Sequence, residues 1–522
     1  MMKILYAWLW GNRWSRIITT FPLVCLLITV VLIVGSSESD GLVQNVRGVQ
    51  SETSVLAASE PYTHCRFGFG VTSEGGSPAQ YDVASLNAGW YWDWGARSTV
   101  SLPAMEHIQT VRLSPTTSGY AAMPTGTTLL SIVAARPGAR WFIANEPDCI
   151  WQDNIRSEIY ARAYHDLYYF IKGADPTAQI GVGSIVQPTP LRMRYLDRVL
   201  AEYAERYHEP LPTDFWATHS YILCETCFTE DHPGAPWPWG ACPVPDWYDE
   251  DNPNAPPPDD AVYYSLEDHW RLDIFQERLV EFRRWMQDRG YRDVPLVVSE
   301  YGILFGYPFE QGELYKTEDD AIAFMQSTFD WMLEARDEEL GYPADDNRLV
   351  QRWAWFSLDH DDWALGGALF DNETYQPFNI GSAYADYTGD LSPAVDLVAV
   401  DVRQTAPVPY SPTHPVSVTL EVEISNAGNV AVTEPFTVSI LDDTGTPLAA
   451  NQLVSASLGG CGDSTTLHVV YPNLGPGSYL VRVVVDPDDI VVEADESNNE
   501  VSGWALVATD RIFLPLVRRG IW

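Results

Sequence analysis

From about residue 65 to residue 390, short apolar runs alternate with amphipathic stretches. The runs are "CRFGFGV" (65–71), "LNAGWYWDWG" (86–95), "IQTVRLSP" (108–115), "RWFIANEPD" (140–148), "QIGVGSIVQP" (179–188), "DFWATHSYIL" (214–223), "PLVVSEYGIL" (295–304) and "RWAWFSLDH" (352–360). Between them, "SEIYARAYHDLYYFIKG" (157–173) and "DIFQERLVEFRRWMQDRG" (273–290) read as helices, and the second stops at Arg-Gly. Strand followed by helix predicts parallel strands. Eight such strands predict an α/β fold, a (β/α)8 TIM barrel over 65–390, with its chemistry at the carboxyl ends of the strands.

Residues 224–262 break this rhythm with Pro, Trp and Asp, and predict a long loop after the sixth strand. Trp237, Trp239 and Trp247 either line a groove there or pack the loop down. After "TGDLSP" (388–393) strands come without helices: "VSVTLEVEISN" (416–426), "FTVSILDD" (436–443), "STTLHVVYP" (464–472) and "GSYLVRVVVD" (477–486). Their period-two alternation predicts an all-β, immunoglobulin-like sandwich over 393–506. The tail, 507–522, is apolar and then basic, and no role is assigned to it.

At the other end, Lys3, Arg13 and Arg16 precede an uncharged run from Phe21 to Gly35. That is short for a membrane span and long enough for the core of an export signal. Residues 1–37 therefore read as a signal peptide, or as an uncleaved anchor that would be the chain's one membrane contact. Residues 38–64 read as a linker. The expected location is extracellular or on the cell surface. Cys25 belongs to the signal; the other six cysteines fit disulfides in an exported chain. A bridge from Cys242 to Cys224 or Cys227 is expected, the full connectivity being open.

The net charge of −40 over 522 residues argues against a nucleic-acid partner. The 20 Trp and 27 Tyr suit both a large core and the C–H faces of sugars. No Cys or His pairs stand at metal-site spacing to support Cys224-x-x-Cys227, so neither metal nor cofactor is expected.

Candidate chemistry gathers at the ends of the runs. The fourth delivers Asn145-Glu146, and the seventh delivers Glu300 followed by Tyr301. The sixth carries His219 and Tyr221 on one face, the second carries Trp90, Tyr91, Trp92 and Trp94, and the eighth carries Trp353 and Trp355. Strands four and seven of a closed barrel lie across its rim. Two carboxylates facing one sugar are what glycoside hydrolysis needs: one protonates the leaving oxygen, the other attacks the anomeric carbon or activates water. Asp148 is expected to cap the turn that follows it.

"NEP" after strand four and "SEYG" after strand seven resemble clan A of the glycoside hydrolases, which are retaining (β/α)8 enzymes. More narrowly, "AGWYWDWG", "ANEPD", "HSY" and "SEYG" resemble the family 128 type of catalytic core, known for endo-β-1,3-glucanases. The resemblance covers about 65–385. It implies Glu146 as acid/base and Glu300 as nucleophile, with Asn145 binding a sugar hydroxyl. It also implies that His219 and Tyr221 orient the nucleophile or substrate, and that Trp355 floors the subsite of the attacked sugar. Trp92 and Tyr301 are further candidates for substrate contact.

In the C-terminal part, "DLVAVDV" (396–402), "EISNAGN" (423–429) and "VDPDDIVVEADESNNEV" (485–501) resemble the CARDB module of bacterial surface proteins. The resemblance implies a role in adhesion or as a spacer, with cell-surface or matrix glycans as partners. Asp486, Asp488, Asp489, Asp495 and Glu496 are oxygen donors of the kind Ca²⁺ takes, but without EF-hand spacing. The expected function is an exported, endo-acting, retaining β-glucanase with a polysaccharide substrate. Its rivals are a hydrolase of xylan, mannan or an arabinoside, and an inactive carbohydrate-binding or adhesion protein.

Overall fold

The computed structural model describes residues 64–226, 240–249, 251–252, 256–360, 366–406, 408, 414–455 and 457–508. The expected signal and the linker up to residue 63, with Cys227, Trp237, Trp239 and the tail from 509, lie outside the described residues.

Each apolar run yields a strand. In chain order these are β1 (His64–Gly70), β2 (Ala88–Trp92), β3 (Glu106–His107), β4 (Gln109–Thr116), β5 (Gly119–Met123), β6 (Arg140–Ile143), β7 (Gln179–Val182), β8 (Trp216–His219) and β9 (Leu296–Tyr301). The hairpin β10 (Phe309–Gln311) and β11 (Leu314–Lys316) precedes β12 (Arg352–Trp355). One sheet has the order β3-β2-β1-β12-β9-β8, with every pair parallel. A second has the order β5-β4-β6-β7, parallel except where β5 turns back on β4. β3 and β4 are one run interrupted at Ile108, and lone parallel bridges, Gly181 to Phe215 and Ile185 to Thr218, link the β7 and β8 segments.

Side chains divide by strand face, as period two requires. Trp90, Trp92, Phe142, Ala217, Val297 and Ala354 form one apolar cluster. Tyr91, Trp141, Trp216, Val298 and Trp353 belong to another. That second cluster also takes in the helices Ser157–Ala174, Pro190–Tyr207, Leu272–Asp288 and Glu318–Glu334, through Tyr160, Tyr195, Phe275 and Phe329. The apolar stripes predicted for 157–173 and 273–290 are the buried faces of two of them.

The C-terminal part holds β13 (Leu397–Gln404), β14 (Val416–Asn426), β15 (Phe436–Leu441), β16 (Gln452–Val454), β17 (Asp463–Leu474), β18 (Gly477–Val485) and β19 (Glu500–Val507). They make two antiparallel sheets, β13-β14-β17 and β16-β15-β18-β19, around a separate core that includes Leu420, Val422, Val438 and Val483. The acidic run there organises turns: Asp486 Oδ2 accepts from the Val491 amide, and Asp495 Oδ1 from Ser497.

This sandwich is fastened to the amino ends of the parallel strands. Cys65, in β1, is bonded to Cys461. The buried Arg66 guanidinium donates to both oxygens of Asp345 at 2.8 Å and to the Ala427 carbonyl at 2.7 Å. Arg140 joins Glu106 to Asp463. Burial opposes the charge on Glu106, but Arg140 and Arg352 prevail and hold its carboxyl down to about 2. The expected bridge from Cys242 to Cys224 or Cys227 is not formed. Cys242 pairs with Cys149 instead, because the 240–244 segment folds back on the 149–150 turn, where the Ile150 amide donates to the Pro243 carbonyl.

Candidate active site

Glu146 stands three residues beyond β6, in a turn that bends sharply. Ala144 (φ 75°) and Glu146 (φ 44°) both occupy the left-handed region, which costs a side-chain-bearing residue energy and persists only where its surroundings over-determine it. Here the restraints are visible. The Glu146 amide donates to the Ser184 carbonyl, and the Cys149 amide donates back to the Glu146 carbonyl. The buried Asp153 carboxylate accepts from the amides of Leu113 and Asn145 and from Arg112 Nε, tying β4 to the turn. Glu146 is 8% exposed.

Glu300 reaches the same place through a β-bulge. On β8, Thr218 pairs with Val298 and the next residue, His219, with Glu300. On β12, Trp353 pairs with Val298 and Trp355 with Tyr301. Both neighbours therefore count one extra residue in β9, at Ser299. Strict alternation from Val297 would turn Tyr301 to the Val297 face and Glu300 to the helices. The extra residue exchanges them, which is how bulges re-aim side chains. Tyr301 is buried against Phe275, and its hydroxyl lies 3.2 Å from Thr328 on the helix Glu318–Glu334. Trp355, its register partner, lies edge-on to it and donates Nε1–H to the Gly367 carbonyl. The structure thus does not bring Tyr301 and Trp355 to the carboxylates, and this corrects their expected place at the substrate.

His219 joins the two acids. Its Nδ1 is 2.9 Å from Glu146 Oε1, and its Nε2 is 3.5 Å from Glu300 Oε2. Oxygens of Glu146 and Glu300 and a nitrogen of His219 all fall within 4.8 Å of one another. Tyr221 donates its hydroxyl proton to Glu300 Oε1 at 2.8 Å, and Trp94 donates its indole N–H to Oε2 at 3.2 Å. Burial pushes the Glu300 carboxyl up and Glu146 adds to that, while His219 and the two donors oppose it. For His219, burial disfavours the cation, but Glu300 and Glu146 outweigh it and raise the imidazole above its ordinary value.

Asn145 is buried beside Glu146. Its amide N–H₂ donates to Gln152 Oε1, and its Oδ1 has no partner among the described residues. Trp92 lies edge-on to His219 with ring centroids 5.9 Å apart and packs against Phe142 and Trp94. Asp148 does not cap its turn: it is fully buried, with Oδ2 on Arg192 at 2.6 Å. Trp247 lies under Arg194 and Arg198, packing its loop onto the helix Pro190–Tyr207.

From the sequence, Trp94 is named only among the aromatics of the second run, with no partner assigned, and Phe356 is not singled out. Trp94 continues the alternation of Trp90 and Trp92 past the end of β2, a signal available in "GWYWDW". Phe356 follows Trp355 and so takes the opposite face, against Tyr221 and Trp94. Its place depends on the β12–β9 register, which no local pattern displays.

Glu146, His219 and Glu300 are also a grouping with the geometry to hold a metal ion; the other, Glu146 with Cys149 and Cys242, is closed by the disulfide.

Residues 394–503 match the CARDB family model. The N-terminal part is similar in structure to family 128 glycoside hydrolases. One is a subgroup II endo-β-1,3-glucanase from Sorangium cellulosum (15% identity, 62% of this chain and 98% of that one, TM-score 0.38). Another is a subgroup I endo-β-1,3-glucanase from Amycolatopsis mediterranei, in complex with laminaritriose (17% identity, 62% and 99%, TM-score 0.38). The C-terminal part is similar to a domain of a cell surface protein from Methanosarcina acetivorans (31% identity, 22% and 95%, TM-score 0.19). No curated protein matches the chain.

Proposed function

We propose that the chain is an exported glycoside hydrolase that cleaves a polysaccharide with retention of configuration, through Glu300 as nucleophile and Glu146 as acid/base. The observation that carries this is the spacing of the carboxylates, one oxygen of Glu146 lying within 4.8 Å of one oxygen of Glu300. Retaining enzymes hold their carboxyl groups about 5 Å apart, whereas inverting ones leave roughly 6.5–9.5 Å for a water. Two neutral donors on Glu300 favour its ionised form and support the nucleophile's role. The order of strand pairings supports a closed (β/α)8 barrel, in which these residues ring the carboxyl end.

In the first step a Glu300 oxygen bonds to the anomeric carbon as the glycosidic C–O bond breaks. Glu146, with His219 Nδ1 2.9 Å from its Oε1, gives its carboxyl proton to the leaving oxygen. In the second step Glu146 takes a proton from water, the water oxygen bonds to the anomeric carbon, and Glu300 leaves as carboxylate. Asn145 Oδ1, without a donor among the described residues, suits a sugar hydroxyl. The resemblance of "ANEPD", "HSY" and "SEYG" to family 128 favours a β-1,3-glucan, attacked within the chain.

The test is release of reducing sugar from a panel of β-1,3-glucan, xylan, mannan and arabinan by residues 41–522. Wild type is expected to cut one of them, and Glu146→Gln and Glu300→Gln each to lose about 10²–10⁴-fold or more. Full activity in either variant excludes the assigned pair.

A further inference from the structure

We propose that Trp94 is a positioning residue for Glu300: its indole N–H fixes one carboxylate oxygen and keeps the group ionised in a buried site. The inference rests on the hydrolase reading and deepens it.

The geometry is a two-point clamp. Tyr221 holds Oε1 and Trp94 holds Oε2, so neither oxygen is free to rotate away. Indole is a donor with no acceptor and no titration in the working range, so Trp94 stabilises the anion more than the neutral acid. Its seat is built for this purpose. Trp94 is non-glycine at φ 55°, two residues past β2, a conformation that needs outside restraint. The restraint comes from both sides of it. Asp93 accepts from the Gly95 amide and from Arg97 Nε, and lies 2.9 Å from His107 Nε2. The Gly95 carbonyl accepts from the Thr110 amide. The ring itself is wedged between Trp92 and Phe356. Opposite the ring, Gly70 leaves the space: a Cβ there would stand 3.2 Å from Trp94 Cη2.

In the reaction the clamp has a second effect. When the sugar ester forms, the carboxylate loses its charge; when water attacks, the charge returns. A donor that favours the anion makes Glu300 the better leaving group in the second step. Removing it is expected to slow hydrolysis of the intermediate more than its formation, lowering kcat more than kcat/KM.

The experiment uses residues 41–522 and two readouts. The first needs no substrate: the ¹⁵N–¹H indole resonances are followed from pH 3 to 8 in wild type and Glu300→Gln, the Trp94 signal being assigned as the one missing in Trp94→Phe or, should that variant not fold, as the one that shifts in Gly70→Ala, whose added Cβ presses on the ring. The Trp94 signal is expected to titrate in wild type and to stay flat in Glu300→Gln. The second is the acid limb of kcat/KM on the polysaccharide that wild type cuts. It is expected to move up by about one unit in Trp94→Phe, the size of shift a lost donor to a buried carboxylate produces. A Trp94 signal flat in wild type, or titrating equally in Glu300→Gln, overturns the proposal; so does an unmoved acid limb in an active Trp94→Phe. Absence of any hydrolysis by wild type overturns the hydrolase reading instead, and the indole titration then still decides whether Trp94 holds Glu300.

Discussion

His219 is the residue on which both acids depend. It is fully buried between two carboxylates, and their charges raise its proton affinity against the cost of burial. A group whose folded pKa is raised binds its proton more tightly when folded. Its contribution to stability is therefore whole below the unfolded value of about 6.5 and is lost as pH rises through the folded value. Thermal denaturation of wild type should show stability falling as pH rises from about 6.5 through the folded value, and His219→Gln should flatten that fall. In Glu300→Gln, which removes the largest charge favouring the cation, the imidazole resonances of His219 should titrate at lower pH than in wild type. Glu146, Glu300, His219 and Tyr221 were legible because each ends or follows a patterned run. Tyr301 was misplaced for the converse reason: alternation is a local rule, and the extra residue at Ser299 is set by pairing with β8 and β12.

The elements place these residues by hydrogen bonds that sequence conceals. Asp153 reads as an ordinary loop aspartate, yet its carboxylate collects Leu113, Asn145 and Arg112 and fixes the turn beyond β6. Replacing a buried carboxylate that accepts three donors leaves those donors unsatisfied, at about 1.5–3 kcal/mol for bonds to a charged group. Urea denaturation of Asp153→Ala should show a loss of about 2–3 kcal/mol, together with a lower kcat, since Glu146 sits on that turn. A loss of stability below 0.5 kcal/mol would mean the turn is held by other means. The strands themselves were legible from apolar runs and the helices from apolar stripes. The short partner strands β5 and β16 were not, because they are specified by what they pair with.

For the whole molecule, the attachment of the sandwich is the feature composition gave no hint of. An even cysteine count permits bridges without naming them, and a spacer or adhesion role suggested a module apart. Instead Cys65–Cys461 joins residues 396 apart, and Arg66 and Arg140 cross the same junction. Removing a disulfide of a secreted domain typically costs about 2–5 kcal/mol. The double variant Cys65→Ser/Cys461→Ser should unfold at lower urea by that amount, and should separate two transitions where wild type shows one. Coincident transitions at the wild-type midpoint would mean the bridge contributes nothing to coupling the two parts.

The central claim is that Glu146 and Glu300, at retaining distance, work as one pair. Its most direct test is ¹H NMR of the anomeric protons during the first minutes of hydrolysis of a β-1,3-linked glucan oligosaccharide, before mutarotation equilibrates the products. The account predicts that the β-anomer appears first. First appearance of the α-anomer would contradict it, because inversion goes with carboxyl groups set roughly 6.5–9.5 Å apart.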